Sequence, residues 1–201
     1  RRRDAEPSTT SGRAPARRSE VLPPAKLRAA ASPRAGPLPG SPLTAELLRL
    51  NSTGCALADV TEIFLSLEGL NSMEAIRLCP SLERINLNVN AISKIEGLQG
   101  CERLQELAMK ENRLTSVGGL GGLQSLVQLS VDANALADLK GMVELPGLRR
   151  FTASENKISE VGDSLRCCTA LEHLDLSGNQ IQSTKGLHHC EQLRRLLISR
   201  N

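Results

Sequence analysis

Residues 126–136 read Leu-Val-Gln-Leu-Ser-Val-Asp-Ala-Asn-Ala-Leu, an L-x-x-L-x-L-x-x-N-x-L register in which every fixed place has a physical task. The L-x-L centre is a short strand with alternate side chains pointing inward. The Asn follows where the chain turns, and its amide can both donate to and accept from backbone groups the turn leaves unpaired. The register recurs on both sides. Leu82, Ile85, Leu87, Asn90 and Ile92 come first, then Leu104, Leu107, Met109, Asn112 and Leu114. After the central unit come Leu148, Phe151, Ala153, Asn156 and Ile158, then Leu171, Leu174, Leu176, Asn179 and Ile181, and last Leu193, Leu196, Ile198 and Asn201. The asparagines stand 22, 22, 22, 23 and 22 residues apart, so Asn90, Asn112, Asn134, Asn156, Asn179 and Asn201 form a predicted ladder through a stack of equal coils.

Gly97, Gly119, Gly141 and Gly186 share a place in the unit that suits a tight outer bend, and Ser164 holds it in the 23-residue unit, where a looser bend is expected. Composition agrees with a stack of aliphatic coils: 34 leucines, two Phe and no Trp or Tyr among 201 residues. That excludes modules built on aromatic cores or exposed stacking rings. The fold class expected is an α/β repeat solenoid, a horseshoe with a parallel concave sheet and short helical turns on the convex side.

This register resembles the leucine-rich repeat family over residues 82–201, and specifically its 22-residue subclass, typified by a regulatory subunit of protein phosphatase 1 and by ciliary and centrosomal proteins. The resemblance implies a protein-binding concave face and a cytoskeletal, ciliary or centrosomal setting.

Upstream of Leu82 two frames compete. Leu47, Leu50, Ser52, Cys55, Leu57 and Val60 fit the register with Cys in place of Asn and an insertion following. Val60, Ile63, Leu65 and Leu70 keep the 22-residue spacing but put Glu68 in the ladder. The first frame is favoured, because a charge in the ladder needs a partner that the pattern does not supply. Residues 60–79 then become two short helices, the second opened by the capping-box pair Asn71 and Glu74. Pro42 marks the start of a capping helix. Residues 43–81 are thus read as a cap and a degenerate first repeat with a helical insertion, ahead of five full repeats and a truncated one at 82–201. Because the chain opens on Arg1 and stops within the pattern, it is read as a fragment of a longer protein.

Residues 1–42 hold eight of the ten prolines, with nine basic against three acidic residues, leaving sixteen basic and nineteen acidic in the remainder. Such a segment cannot bury enough apolar surface to order itself and is expected to be a disordered basic tail. Arg1 to Arg3 and Arg17-Arg18 could touch RNA, an acidic protein surface or anionic lipid. Without accompanying aromatics, nucleic acid is the weaker partner. Ser19, Ser32 and Ser41 sit in kinase-like contexts.

Cys79, Cys101, Cys168 and Cys190 alternate with Leu123 and Leu145 at one place in the unit, the mark of a core position rather than of metal or disulfide chemistry. Reduced core thiols point to a cytoplasmic protein, in which the Asn51-Ser52-Thr53 acceptor triplet would stay unmodified. No cofactor is expected and no enzyme: His173, Asp175, Ser154 and Ser177 lie on an open sheet without a nucleophile elbow. The Gly118–Gly122 run lacks the Lys of a phosphate loop. No run of apolar residues is long enough for a transmembrane helix.

Alternation sets the outward strand places in three columns. One reads Arg84, Glu106, Gln128, Arg150, His173, Arg195. The middle reads Asn86, Ala108, Ser130, Thr152, Asp175, Leu197, and the third Asn88, Lys110, Asp132, Ser154, Ser177, Ser199. The expected partner surface consists of Arg84, Asn86, Glu106, Lys110, Gln128, Asp132, Arg150, Thr152, His173, Asp175 and Arg195. None of these is aromatic, whereas the phosphatase-regulator members use aromatic and acidic concave residues, so binding phosphatase 1 in that way is not expected. The expected function is a non-enzymatic intracellular scaffold. Two alternatives stay open: the recognition region of a larger enzyme or regulator, and RNA association through the tail.

Overall fold

The computed structural model describes residues 25–28, 40–52, 55–142 and 145–201. Among the described residues ten strands run in chain order: β1 (Ala25–Arg28), β2 (Ser41–Pro42), β3 (Val60–Phe64), β4 (Leu70–Ser72), β5 (Arg84–Asn86), β6 (Glu106–Ala108), β7 (Gln128–Ser130), β8 (Arg150–Thr152), β9 (His173–Asp175) and β10 (Arg195–Leu197). One parallel sheet takes the order β1-β3-β5-β6-β7-β8-β9-β10, and β2 pairs with β4 in a small second sheet. Register is fixed by the repeat, so Ile63, Ile85, Leu107, Leu129, Phe151, Leu174 and Leu196 stand side by side across the large sheet. A one-residue slip would turn every one of these toward solvent. All but Leu196 are buried, and they join the flanking Leu, Ile, Met and Cys residues in one continuous core.

Each coil leaves the sheet through a residue in the left-handed region just before the ladder place: Val89, Glu111, Ala133, Glu155 and Arg200 at φ between 53° and 57°, and Gly178 at 68°. A side chain there costs about 1 to 2 kcal/mol. The asparagine that follows offsets this with bonds to two coils. The Asn134 amide donates to Met109 O of the preceding coil at 2.9 Å and to Val131 O of its own at 3.0 Å, while its Oδ1 accepts from Leu114 N–H at 2.9 Å. Asn90, Asn112, Asn156, Asn179 and Asn201 repeat this pattern, each accepting from an N–H of the coil before it.

On the convex side the coils nearly touch. Gly119, at φ 97°, stands where a Cβ would lie 2.1 Å from Ile95 O, and Gly186 where one would lie 1.7 Å from Gly162 O. The 23-residue coil takes up its extra residue in a 3-10 turn, Gly162–Leu165, which contains Ser164. The four repeat-register cysteines are buried and unbridged, with the Cys101 thiol donating to Cys79 O at 3.7 Å. Burial pushes the Cys79 thiol up to about 11 and the Cys168 thiol up to about 12.

The N-terminal end departs from expectation in three ways. Val60–Phe64 is a strand paired with β5, so the array adopts the Val60 frame, not the Leu47 one. Leu47 and Leu50 lie in α1 (Ala45–Asn51), which opens on Thr44, whose Oγ1 accepts from Leu47 N–H at 3.1 Å, and not on Pro42, which belongs to β2. Glu68 stands half-buried at the ladder place; an asparagine there would serve the coil before it, and no coil of the register precedes β3 among the described residues.

Second, residues 60–79 form β3, β4 and a 3-10 turn, Glu74–Leu78, in place of two helices. Asn71 caps nothing: it lies in β4 and donates to Gly40 O. Third, the stretch read as a disordered tail contributes β1 and β2. A parallel strand needs only backbone partners, and the composition argument does not see the open edge of β3. The rest of the segment expected to be a disordered basic tail, including Arg1 to Arg3 and Arg17-Arg18, lies outside the described residues. Leu43 and Leu48 are buried on the core and cover its first coil.

Candidate interaction surface

Cross-strand pairing sets the outward side chains in columns, and contacts between neighbouring strands decide which of them remain available. The first column begins one strand earlier than the sequence reading placed it, with Glu62 of β3 beside Arg84. Glu62 is buried and accepts from Arg84 Nε at 3.1 Å and from Nη2 of the same guanidinium. That hydrogen bond, with the attraction of the carboxylate, raises Arg84 further above its ordinary value. Gln128 Nε2 donates to Glu106 Oε1 at 3.4 Å, and Arg150 Nη1 to Gln128 Oε1 at 3.4 Å. His173 and Arg195 continue the column in register. His173 is lowered from its ordinary value, first by desolvation and then by Arg195 and Arg150, against a small opposing pull from Asp175.

Asp132 is the knot of the other columns. One oxygen accepts from Ser154 N–H at 2.8 Å and Ser154 Oγ at 2.9 Å, while the other accepts from Thr152 Oγ1 at 2.8 Å and pairs with Lys110 Nζ at 2.9 Å. Burial alone would raise this carboxyl, but the bonds from Lys110, Ser154 and Thr152 outweigh it and hold it below the usual carboxylate range. Asn86 Oδ1 accepts from Ser66 Oγ at 2.9 Å and from Asn88 N–H at 3.1 Å. Asp175 Oδ1 accepts from Ser177 N–H at 3.0 Å. Between these bonded groups Ala108 and Ser130 are small and lie below their neighbours, which leaves the centre of the face low.

The residues expected on one surface are therefore brought together on one sheet, but in unequal states. Arg84, Lys110, Asp132 and Thr152 are committed to one another or to Glu62; the side chains of Arg150, His173 and Arg195 make no ion pair or hydrogen bond to a carboxylate among the described residues. Of the four residues His173, Asp175, Ser154 and Ser177, the Ser154 hydroxyl is turned to Asp132 and Asp175 to the backbone N–H of Ser177. No group of three His, Cys, Asp or Glu side chains among the described residues is placed to hold a metal ion. Sequence reading missed Glu62 and Phe64 of β3 and Ser66 just beyond it, which extend the three columns by one coil. Their signal was the 22-residue offset from Arg84, Asn86 and Asn88, overruled there by Glu68.

No protein-family model and no curated protein sequence matches the chain. Solved structures do. TLR13 in its complex with ssRNA13 aligns at a TM-score of 0.65 and 19% identity over 71% of this chain. An internalin C2 from Listeria monocytogenes aligns at 0.61 and 28% over 70%, and an internalin InlF from the same organism at 0.50 and 24% over 70%. The fold is the leucine-rich repeat horseshoe. This chain spans 22%, 62% and 48% of those three chains respectively, so the alignment describes a stack of repeats and not their whole architectures. No helix among the described residues is long and apolar enough to cross a membrane.

Proposed function

We propose that this leucine-rich repeat chain is a non-enzymatic scaffold that binds a protein partner along the concave face of β5–β10. The observation that carries the reading is the low centre of that face, where Ala108 and Ser130 lie between rows of bonded polar side chains. A partner's backbone can approach there without displacing any hydrogen bond of the sheet. The flanking side chains are held by one another, so little conformational entropy is lost on docking. An intracellular setting is supported by the buried, unbridged cysteines, whose thiols burial keeps protonated. Membership of the 22-residue subclass, with its cytoskeletal, ciliary or centrosomal members, is supported by the spacing of the ladder asparagines.

The test fills the groove. Ala108→Trp places a bulky ring on the low strip, whereas Ser183→Trp places the same ring on an exposed loop. Affinity capture from cells should recover a protein with the parent chain and with Ser183→Trp and lose it with Ala108→Trp, circular dichroism being unchanged. Retention by Ala108→Trp would move the partner surface off the concave face.

A further inference from the structure

We propose that the C-terminal half of the concave face, where Arg150, His173 and Arg195 stand side by side on β8, β9 and β10, is a docking track for an acidic peptide segment. The inference rests on the concave-face reading and names the chemistry of its partner. Adjacent strands lie about 4.8 Å apart, so the two arginines are separated by roughly 10 Å across the groove, with the imidazole between them. Two carboxylates of one segment at about that separation would meet both guanidiniums, each able to bind a carboxylate through two parallel N–H groups.

Three features set this track apart from the rest of the face. The other concave cations are already neutralised: Arg84 by Glu62, and Lys110 by Asp132. The Arg150 guanidinium bonds only to the neutral amide of Gln128, at 3.4 Å, and the Arg195 guanidinium makes no hydrogen bond or ion pair among the described residues. Two acids of β9 and its approach are otherwise engaged, Glu172 pairing with Arg149 at 2.8 Å and Asp175 accepting from Ser177 N–H. His173, between Arg150 and Arg195, is lowered by desolvation first and then by both arginines, against the pull of Asp175. Leu197, half-buried beside Arg195, adds an apolar contact for the same segment.

A peptide is favoured over a single-stranded nucleic acid for two reasons. Binding of unpaired bases relies on exposed aromatic faces. Of the two Phe, Phe151 is buried in the core and Phe64 lies on β3, at the far end of the sheet. In addition, the chain beyond residue 42 carries nineteen acidic against sixteen basic residues. A long polyanion would meet repulsion along most of its length, whereas a short acidic segment confined to the track would not.

The experiment uses fluorescence anisotropy of a fluorescein-labelled octaglutamate peptide, with octalysine and eight-nucleotide uridine RNA as comparison probes. Octaglutamate is expected to bind the full chain, to weaken as salt rises, and to lose about tenfold or more in affinity in the double variant Arg150→Ala/Arg195→Ala. Arg113→Ala/Lys157→Ala, which removes the same charge from exposed loops, should leave binding within about twofold. Absence of octaglutamate binding, equal loss in the two double variants, or RNA binding as tight and as dependent on Arg150 and Arg195 would each overturn the proposal. Failure of octaglutamate with capture still lost in Ala108→Trp would remove the acidic ligand and keep the groove. Arginine-dependent octaglutamate binding with capture insensitive to Ala108→Trp would keep the track and remove the groove.

Discussion

At the scale of single residues, the asparagine ladder is where the fold is most exposed to mutation. Asn134 supports the backbone of two coils at once, and Asn134→Ala leaves Leu114 N–H and Met109 O without their partner inside the stack. We expect a loss of about 1 to 3 kcal/mol, read from urea unfolding. Unchanged stability would mean that water replaces the amide. His173 behaves differently, because its environment disfavours the proton. Its folded pKa lies below its unfolded value of about 6.5, so the stability it contributes is present above that value and is lost as pH falls through the folded pKa. The melting temperature should fall between about pH 7 and pH 5, and less steeply for His173→Gln. Identical pH profiles would show that neither burial nor the neighbouring arginines disfavour the proton on the ring. Asp132 carries the same sign at lower pH: its contribution is present above the ordinary carboxyl range and is lost as pH falls through its depressed pKa.

At the scale of the coil, legibility depended on how many jobs a residue type can do. From Leu82 onward, strand, turn and ladder each demand one kind of residue, and periodicity alone places them. Before Leu82 the demands relax. Glu68 occupies the ladder place where no coil of the register precedes it among the described residues, and β1 adds to an edge through backbone bonds that any side chain permits except proline. The concave columns were readable from alternation. Their division into committed and available cations was not, because it depends on side-chain reach between strands, as between Lys110 and Asp132. The left-handed residue ahead of each asparagine also went unseen, since Val89, Glu111 and Ala133 carry no compositional mark of it. On the convex side the convergence of coils is stricter. Gly119→Ala combines a disfavoured φ of 97° with a Cβ 2.1 Å from Ile95 O. We expect it to cost about 2 to 4 kcal/mol, with a lower urea midpoint, whereas Gly121→Ala, which meets no atom, should cost far less.

Across the whole molecule the two ends of the stack differ. Leu43, Leu48 and β1 cover the first coil, while among the described residues β10 pairs on one side only and Leu196 is 39% exposed in the position where Leu129 and Leu174 are fully buried. Opening should therefore spread from the β10 end, as expected for a linear array held by neighbour contacts. Amide hydrogen exchange in the 201-residue chain should show protection rising from β10 through β9 to a plateau at β7. Equal protection at β10 and β7 would mean that the array opens as a single unit.

The ladder also has a direction. Every asparagine reaches back to the coil before it, so Leu114 N–H finds its acceptor only in Asn134, twenty residues later. A ribosome delivers the amino end first, and at about 5 to 20 residues per second that acceptor is synthesised roughly one to four seconds after the group it serves. During translation the youngest coil is always unfinished, and each new repeat completes its predecessor.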